Sequence, residues 1–362
     1  MRKTIFVLHE RSTKEHFIAL ESYAKANNIH IKYREFLIAR FLVKSIVKFD
    51  FILFVQQIKN ILFFSTLIFS SKKKIVLGLA PLDTNLPLLK VFLKRHYIFY
   101  FTSWGDWSGN RFPKNKKSNA ESIKKSWRNF LEYDIKGVFC VTKSTLDSLK
   151  ENYKITVPAS IVGHAVDNTI QLKKKTELEK DSERIQLIYV GRLVETKGVN
   201  ELIELMQKLD TKKYTLKIIG DGPLKKEVEI ASDRFSNIEY LGYVKNKREL
   251  FHLYSQSNVQ LLFSKKSKEN YWEELFGMVI IEAMYCGLVT VATNHVGPRF
   301  IIEDGMDGFL VNENNMIKET IKILEETSFK DNKMKLNAKN KAKEFYKKKL
   351  SENWAKLLDT YM

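Results

Sequence analysis

Cysteine is scarce: Cys140 and Cys286 are the only two in 362 residues, far apart and each in apolar surroundings. That excludes a disulfide framework and a thiolate zinc site, and it is the usage of a protein kept in a reducing cytoplasm. A long unbroken apolar run is also missing. The most hydrophobic stretch, residues 50–71, is interrupted by Gln56, Gln57, Lys59 and Asn60. It falls short of the roughly 18 consecutive apolar residues of a spanning helix. A buried strand over 51–55 followed by a helix is expected there, with no transmembrane segment. The N-terminal MRKTIFVLHE has too short an apolar core for a secretory signal and reads as a first strand.

What is present is the composition of a soluble globular protein, 44% hydrophobic and 28% charged, in a chain long enough for two domains of ordinary size. The net charge of +19 is unevenly placed. Residues 1–170 hold 28 Lys and Arg against 13 Asp and Glu, a net +15, while the remaining 192 residues hold 33 against 29, a net +4. A coding bias toward lysine would charge both halves alike. The asymmetry therefore points to an anionic membrane surface or an anionic partner for the front half.

Short apolar strands alternate with helix-patterned stretches along the chain. In the front half they are IFVLH (5–9), IHIKY (29–33), DFILFV (50–55), KIVLGLA (74–80), YIFYFT (97–102) and GVFCVT (137–142). The last is followed by STLDSLKENY, a helix with a Ser/Thr cap. Residues 168–185 have almost no apolar content and read as a linker. The pattern restarts with IQLIYVG (185–191), YTLKIIG (214–220), IEYLG (238–242), VQLLFS (259–264) and LVTVATN (288–294). The expectation is an α/β protein of two Rossmann-like domains, 1–170 and 185–335, with parallel sheets facing a cleft. Residues 336–362 are expected to be a C-terminal helix packing back toward the first domain.

The candidate chemistry lies at strand ends in the second half. GRLVETKGV (191–199) follows a strand and opens a helix; Gly191 permits the turn, and Arg192 and Lys197 set two cations beside a helix N-terminus, a place suited to a diphosphate. IIGDGPLKKEVE (218–229) repeats the arrangement, with Gly220 and Gly222 letting backbone approach a ligand. A Gly-rich turn is more often a tight connection only, so neither motif decides alone. EELFGMVIIEAM (273–284) adds two carboxylates eight positions apart, Glu274 at the entry to a helix and Glu282 more than a turn inside it.

This stretch resembles the Glu-x7-Glu motif of glycosyltransferase family 4, enzymes of the GT-B fold. The order of elements is also similar: strand-GRL…KG, IIGDGP, LGYV, the paired Glu, and GPRFIIEDGMDGFLV (297–311). The likeness is close over about residues 185–312. Before the linker, VTKSTLDSLK and VGHAVDN are similar too, with His164-Ala165 where the family usually has Asn-Gly. The resemblance implies a retaining transfer of a hexose-type sugar from a nucleotide-sugar donor, such as a UDP- or GDP-sugar. Arg192 and Lys197 would hold the donor diphosphate as it leaves. Glu274 would read sugar hydroxyls, and Glu282 the nucleotide ribose. Gly191, Gly222, Phe276, Gly277, Met278 and Val279 would complete the donor site. No Asp-x-Asp occurs in the chain, and two cations can neutralise a diphosphate, so no metal and no cofactor are expected.

The front half departs further from the family. Where a Gly-rich loop usually follows the first strand, this chain has HERSTKEH (9–16), which places His9 and His16 near that strand end. In TSWGDWSGNRF (102–112), Trp104, Asp106 and Trp107 suit sugar stacking and a hydroxyl contact, or equally a packed lid. LPLLKVFLKRHY (86–97) and Lys72–Lys74 resemble basic, apolar surfaces that rest on a membrane. The main expectation is a peripheral enzyme on the inner face of the cell membrane, acting on a lipid-linked glycan in surface polysaccharide, O-antigen, capsule or glycolipid synthesis. A soluble sugar-phosphate acceptor would use the same donor residues, and a sugar-nucleotide epimerase of the same fold lacks a matching pattern here. A nucleic-acid binder would account for the charge but not the paired glutamates, and no aromatic platform supports it.

Overall fold

The computed structural model describes residues 3–10, 14–108, 120–172, 184–267, 272–329 and 332–362. The chain forms two compact units, Met1–Ala165 with Lys347–Met362, and Val166–Tyr346. Both are α/β, each built on a six-stranded parallel sheet.

The first unit contains β1 (Thr4–His9), α1 (Ile18–Ala26), β2 (His30–Glu35), α2 (Ile38–Val47), α3 (Phe51–Phe69), β3 (Lys74–Gly78), α4 (Leu86–Leu93), β4 (Tyr97–Thr102), α5 (Glu121–Asn129), β5 (Gly137–Cys140), α6 (Lys143–Asn152) and β6 (Ala159–Ile161). The strand order is β2-β1-β3-β4-β5-β6. Its central strands read as continuous apolar runs because helices cover both faces, and Ile75, Val76, Phe99, Tyr100, Val138 and Phe139 are all fully buried or nearly so. Helix α6 starts where Thr142 Oγ1 accepts the Thr145 N–H (3.2 Å), just ahead of the Ser/Thr pair that the sequence suggests as the cap.

One element differs in kind from the sequence expectation. Residues 51–55 are the first turns of α3 rather than a strand. Asp50 Oδ1 caps that helix by accepting the Leu53 N–H (2.9 Å). The inward residues Gln57, Asn60, Phe63, Phe64 and Leu67 recur at three- and four-residue steps, which only a helix can turn to one side. The polar residues that interrupt the apolar run are therefore its buried face. By length and composition alone, α3 is long and apolar enough to cross a membrane.

The second unit contains β7 (Ile185–Val190), α7 (Val199–Lys208), β8 (Tyr214–Ile219), α8 (Lys225–Arg234), β9 (Ile238–Tyr240), α9 (Lys247–Gln256), β10 (Val259–Leu262), α10 (Met278–Cys286), β11 (Val289–Thr293), α11 (Val296–Ile301), β12 (Gly308–Val311), α12 (Met316–Glu326) and α13 (Asn332–Ala342). Its sheet runs β12-β11-β10-β7-β8-β9, so chain order reverses between β7 and β10. Leu187, Tyr189, Leu216, Ile218, Leu261 and Val291 form the heart of its core. Of the expected linker, residues 173–183 lie outside the described residues. Ile170 is tied to this unit by the Tyr285 hydroxyl, which donates to its carbonyl (2.8 Å).

The C-terminal stretch is two helices rather than one. Helix α13 belongs to the second unit, and α14 (Lys347–Leu358) belongs to the first. In the first unit, the Trp354 indole of α14 packs on Phe139 and Phe101, with ring centroids 4.3 and 5.9 Å away.

Candidate active site

The second unit brings two distant loops together at the point where its strand order reverses. Ligands of open parallel sheets bind outside the carboxyl ends of the strands at this position. Lys197 lies in the short 3-10 turn Glu195–Lys197 after β7, and Glu274 lies in the loop between β10 and α10. The Lys197 Nζ makes an ion pair with Glu274 Oε2 and also sits over the Trp272 ring, 4.9 Å from its centroid. Ser264 donates a hydroxyl hydrogen bond to the same carboxylate oxygen (3.0 Å). Arg192 is exposed, and its carbonyl accepts from the buried Tyr189 hydroxyl (2.8 Å). Burial, with the Glu274 charge nearby, pushes that phenol well above its ordinary range.

The loop carrying Glu274 is held by residues that sequence reading passed over. His295 Nδ1 accepts the Glu274 backbone N–H (3.2 Å), and the Glu274 carbonyl accepts the Gly297 N–H (2.9 Å). A side chain at Gly297 would place its Cβ 2.2 Å from the Phe276 backbone nitrogen, so only glycine lets the loop lie against α11. His295 is buried, which lowers its pKa against the opposing pull of Glu313 and Glu273. A neutral imidazole that accepts at Nδ1 carries its proton on Nε2, which faces Glu313 Oε2 at 3.2 Å. The signal available in sequence is the position of His295 two residues ahead of Gly297, which opens the Gly-Pro-Arg segment.

Helix α10 begins at Gly277, whose φ of 91° is left-handed, and Met278 and Val279 in its first turn are partly exposed. Glu282 does not present a free carboxylate. It is 6% exposed and ion-paired with Lys247 at the start of α9. Burial raises its pKa, and Lys247 opposes that rise. Lys247 is the second residue the sequence analysis missed; it opens α9, three positions after LGYV.

Three of the expected donor-side residues make contacts within the protein itself. Phe276 packs its ring against Phe300 and Phe345 and is a core residue. The glycines of IIGDGP make room for neighbouring backbone: a Cβ at Gly220 would lie 1.8 Å from the Gly191 carbonyl oxygen, and one at Gly222 would lie 2.4 Å from that of Leu193. The two βα turns thus pack directly on each other. Gly191 belongs to this contact, and its N–H donates to the Ile219 carbonyl (3.0 Å).

In the first unit, strand order reverses between β1 and β3, and His9 ends β1 in register with Gly78. Its ring fills the space over that glycine, where a Cβ would come within 2.3 Å of it. The His16 and His164 rings pack against each other at a tilt in the same unit, with centroids 4.7 Å apart. Burial, followed by the charge of His16, lowers the His164 pKa to about 3, and His16 is lowered by burial and by His9. Trp107 is no sugar platform. It is 1% exposed, its indole donates to the Trp104 carbonyl (3.1 Å), and its ring meets Tyr100 and Tyr153 edge-on. Trp104 is half-buried against the same core. Asp106 accepts the Ser108 N–H in a local turn (2.8 Å). His96, expected on a basic surface, is buried and bonded to the Leu67 carbonyl (3.1 Å).

Over 99% of its length the chain superposes on Anabaena HepE in complex with UDP (TM-score 0.68, 15% identity, all of that chain). It also superposes on sucrose-phosphate synthase of Thermosynechococcus elongatus (TM-score 0.71, 14% identity, 99% of each chain). At these identities the likeness concerns the fold, which is that of the GT-B glycosyltransferases. Residues 170–342, most of the second unit, match the family described as "Glycosyl transferases group 1". An uncharacterised 41.2 kDa protein in the cps region of Klebsiella pneumoniae is 34% identical over 142 residues, 39% of this chain and 37% of that protein. An uncharacterised glycosyltransferase of Methanocaldococcus jannaschii is 30% identical over 190 residues, 52% of this chain and 48% of that protein. The chain spans half or less of the length of these relatives.

Proposed function

We propose that the protein is a retaining glycosyltransferase that moves a hexose-type sugar from a UDP- or GDP-sugar to a hydroxyl of a lipid-linked glycan in surface polysaccharide synthesis. The observation that carries this reading is the pairing of Lys197 with Glu274 where the strand order of the second unit reverses. A cation and a sugar-reading carboxylate side by side suit a sugar diphosphate, in which negative charge builds on the leaving phosphate next to the sugar ring. Arg192 and Lys197 neutralise that charge, which leaves no step that requires a metal ion. Glu274 and the first-turn amides at Met278 and Val279 hold the sugar, and Glu282 takes the ribose hydroxyls with Lys247 as its present partner. Catalysis then rests largely on position and electrostatics.

The likeness to a protein of a cps region and to a structure holding UDP supports the polysaccharide and uridine readings. On the acceptor side, Trp107 is committed to the core, which leaves His9 at the end of β1, Trp104 and Asp106 as the candidates. The basic front half supports work at the inner face of the cell membrane. A soluble sugar-phosphate acceptor is the second reading, favoured by the likeness to sucrose-phosphate synthase. The test is thermal stabilisation by UDP-, GDP-, ADP- and CMP-sugars with EDTA present, repeated on Glu282→Ala, and then transfer to lipid-linked and to soluble acceptors. Stabilisation by one nucleotide class that survives chelation and is lost in the variant is the expected result. No response to any sugar nucleotide would overturn the reading.

A further inference from the structure

The α2–α3 hairpin of the first unit turns large apolar residues outward. Val47 closing α2, Phe49 in the connection, and Phe51 and Ile52 opening α3 are 71%, 95%, 75% and 82% exposed. Phe49 has a φ of 50°, a left-handed conformation that is a real outlier for a bulky residue. The backbone is thus strained at the residue whose ring is set most fully in solvent. Farther along α3, Ile58, Leu62 and Phe69 are exposed as well. With Phe51 they follow steps of seven, four and seven residues, which place them on one side of the helix. Nineteen residues extend that stripe over about 28 Å.

The opposite face anchors the helix sideways. Gln57 and Asn60 are fully buried, with Glu35 beside them. Gln57 Nε2 donates to Glu35 Oε2 (3.1 Å), Asn60 Nδ2 donates to Gln57 Oε1 (3.1 Å), and Asn60 Oδ1 accepts the Glu35 N–H (3.3 Å). Crossing a bilayer would strip these groups of their partners, a large cost in hydrocarbon. Held this way, α3 can only lie along a surface. Its surroundings are one-signed. Residues 36–96 hold ten Lys and Arg against two acids, Asp50 and Asp83, and Asp50 is committed to capping α3. Arg40, Lys44, Lys48 and Lys59 are exposed beside the apolar stripe.

We infer that the α2–α3 hairpin docks on an anionic lipid bilayer, with α3 lying in the headgroup layer, its apolar stripe toward the acyl chains and the cations on lipid phosphates. An amphipathic helix with flanking lysines binds in this way through apolar burial plus attraction to anionic lipid. The chemistry rests on the hairpin alone, while its purpose rests on the lipid-linked reading of the acceptor.

The test is flotation of the full chain with vesicles of phosphatidylcholine alone or mixed with phosphatidylglycerol, for the parent protein, for Phe49→Ser with Phe51→Ser, and for Lys44→Glu with Lys48→Glu. All these side chains are exposed, and an unchanged melting temperature shows that the variants fold. The expected result is salt-sensitive binding to the mixed vesicles only, reduced about tenfold or more in either double variant. Equal binding to neutral vesicles, or variants that bind like the parent, would overturn the inference. So would a concentration-dependent dimer in sedimentation velocity that the Phe variants dissociate without any vesicle binding, since the hairpin would then be a self-association face. Donor-induced stabilisation, measured on the same samples, reports separately on the second unit. A response to donor without vesicle binding rejects the docking surface alone, and vesicle binding without a donor response rejects the transferase reading alone.

Discussion

Lys197 and Glu274 stand 77 positions apart in sequence and form an ion pair at the carboxyl ends of β7 and β10, adjacent strands whose order reverses between them. Each is more than four-fifths withdrawn from solvent. The aromatic face of Trp272 and the Ser264 hydroxyl complete the enclosure. In such a setting charges act more strongly than in bulk water, and each is costly to leave alone.

Removing either partner should therefore lower turnover and, through the charge left behind, lower stability as well. Lys197→Ala and Glu274→Gln are each expected to lower kcat by about 100-fold or more. The double variant should lose less than the product of the two single losses, because the groups act as a unit. Steady-state kinetics on the four proteins check this, and strictly multiplicative losses would show that the pair is incidental.

His295 is a positioning residue: it accepts the Glu274 N–H and leaves its own proton toward Glu313. His295→Ala should lower kcat by about tenfold, with a smaller change in donor KM. His295→Asn, which retains a side-chain acceptor, should recover part of the loss. A residue that only supports the fold would lower the melting temperature without that recovery in kcat.

Lys247 and Glu282 predict a separable effect on nucleotide binding. Lys247→Ala leaves a buried carboxylate without its cation, so Glu282 should take up a proton more readily and donor affinity should become pH-dependent. The expected outcome is weaker donor-induced stabilisation toward acid pH than in the parent, read by thermal shift across a pH series.

His164 predicts acid sensitivity of the first unit. The unfolded chain protonates this imidazole near pH 6.5, whereas the folded protein holds its pKa at about 3. Between those values the unfolded state binds more protons, so stability falls as pH falls. His164→Asn should flatten this decline by about 1 kcal/mol per pH unit. Denaturant unfolding of the two proteins across that range checks it; parallel curves would remove His164 as the cause.

Trp107→Ala should behave as a core deletion. A loss of about 3 to 5 kcal/mol in stability is expected, measured by denaturant unfolding. A variant of normal stability with a raised acceptor KM would restore Trp107 to the surface role that its sequence suggested.

The sequence by itself determined the alternation of parallel strands and helices, since period and apolar runs are local properties of the chain. It also determined the spacing of Glu274 and Glu282 and the turn that carries Lys197. It misread 51–55 because five apolar residues look alike in a strand and a helix, and only the inward-facing Gln57 and Asn60 set the period. Which residues meet was decided by tertiary structure. Glu282 is matched with Lys247, His295 is set under Glu274, and Trp107 and Phe276 are taken into cores, because packing brings together groups that no local pattern relates. The same cause leaves the stripe of α3 outward: its buried face is fixed by hydrogen bonds to Glu35 on β2, and a strand neighbour of that kind is invisible along the chain.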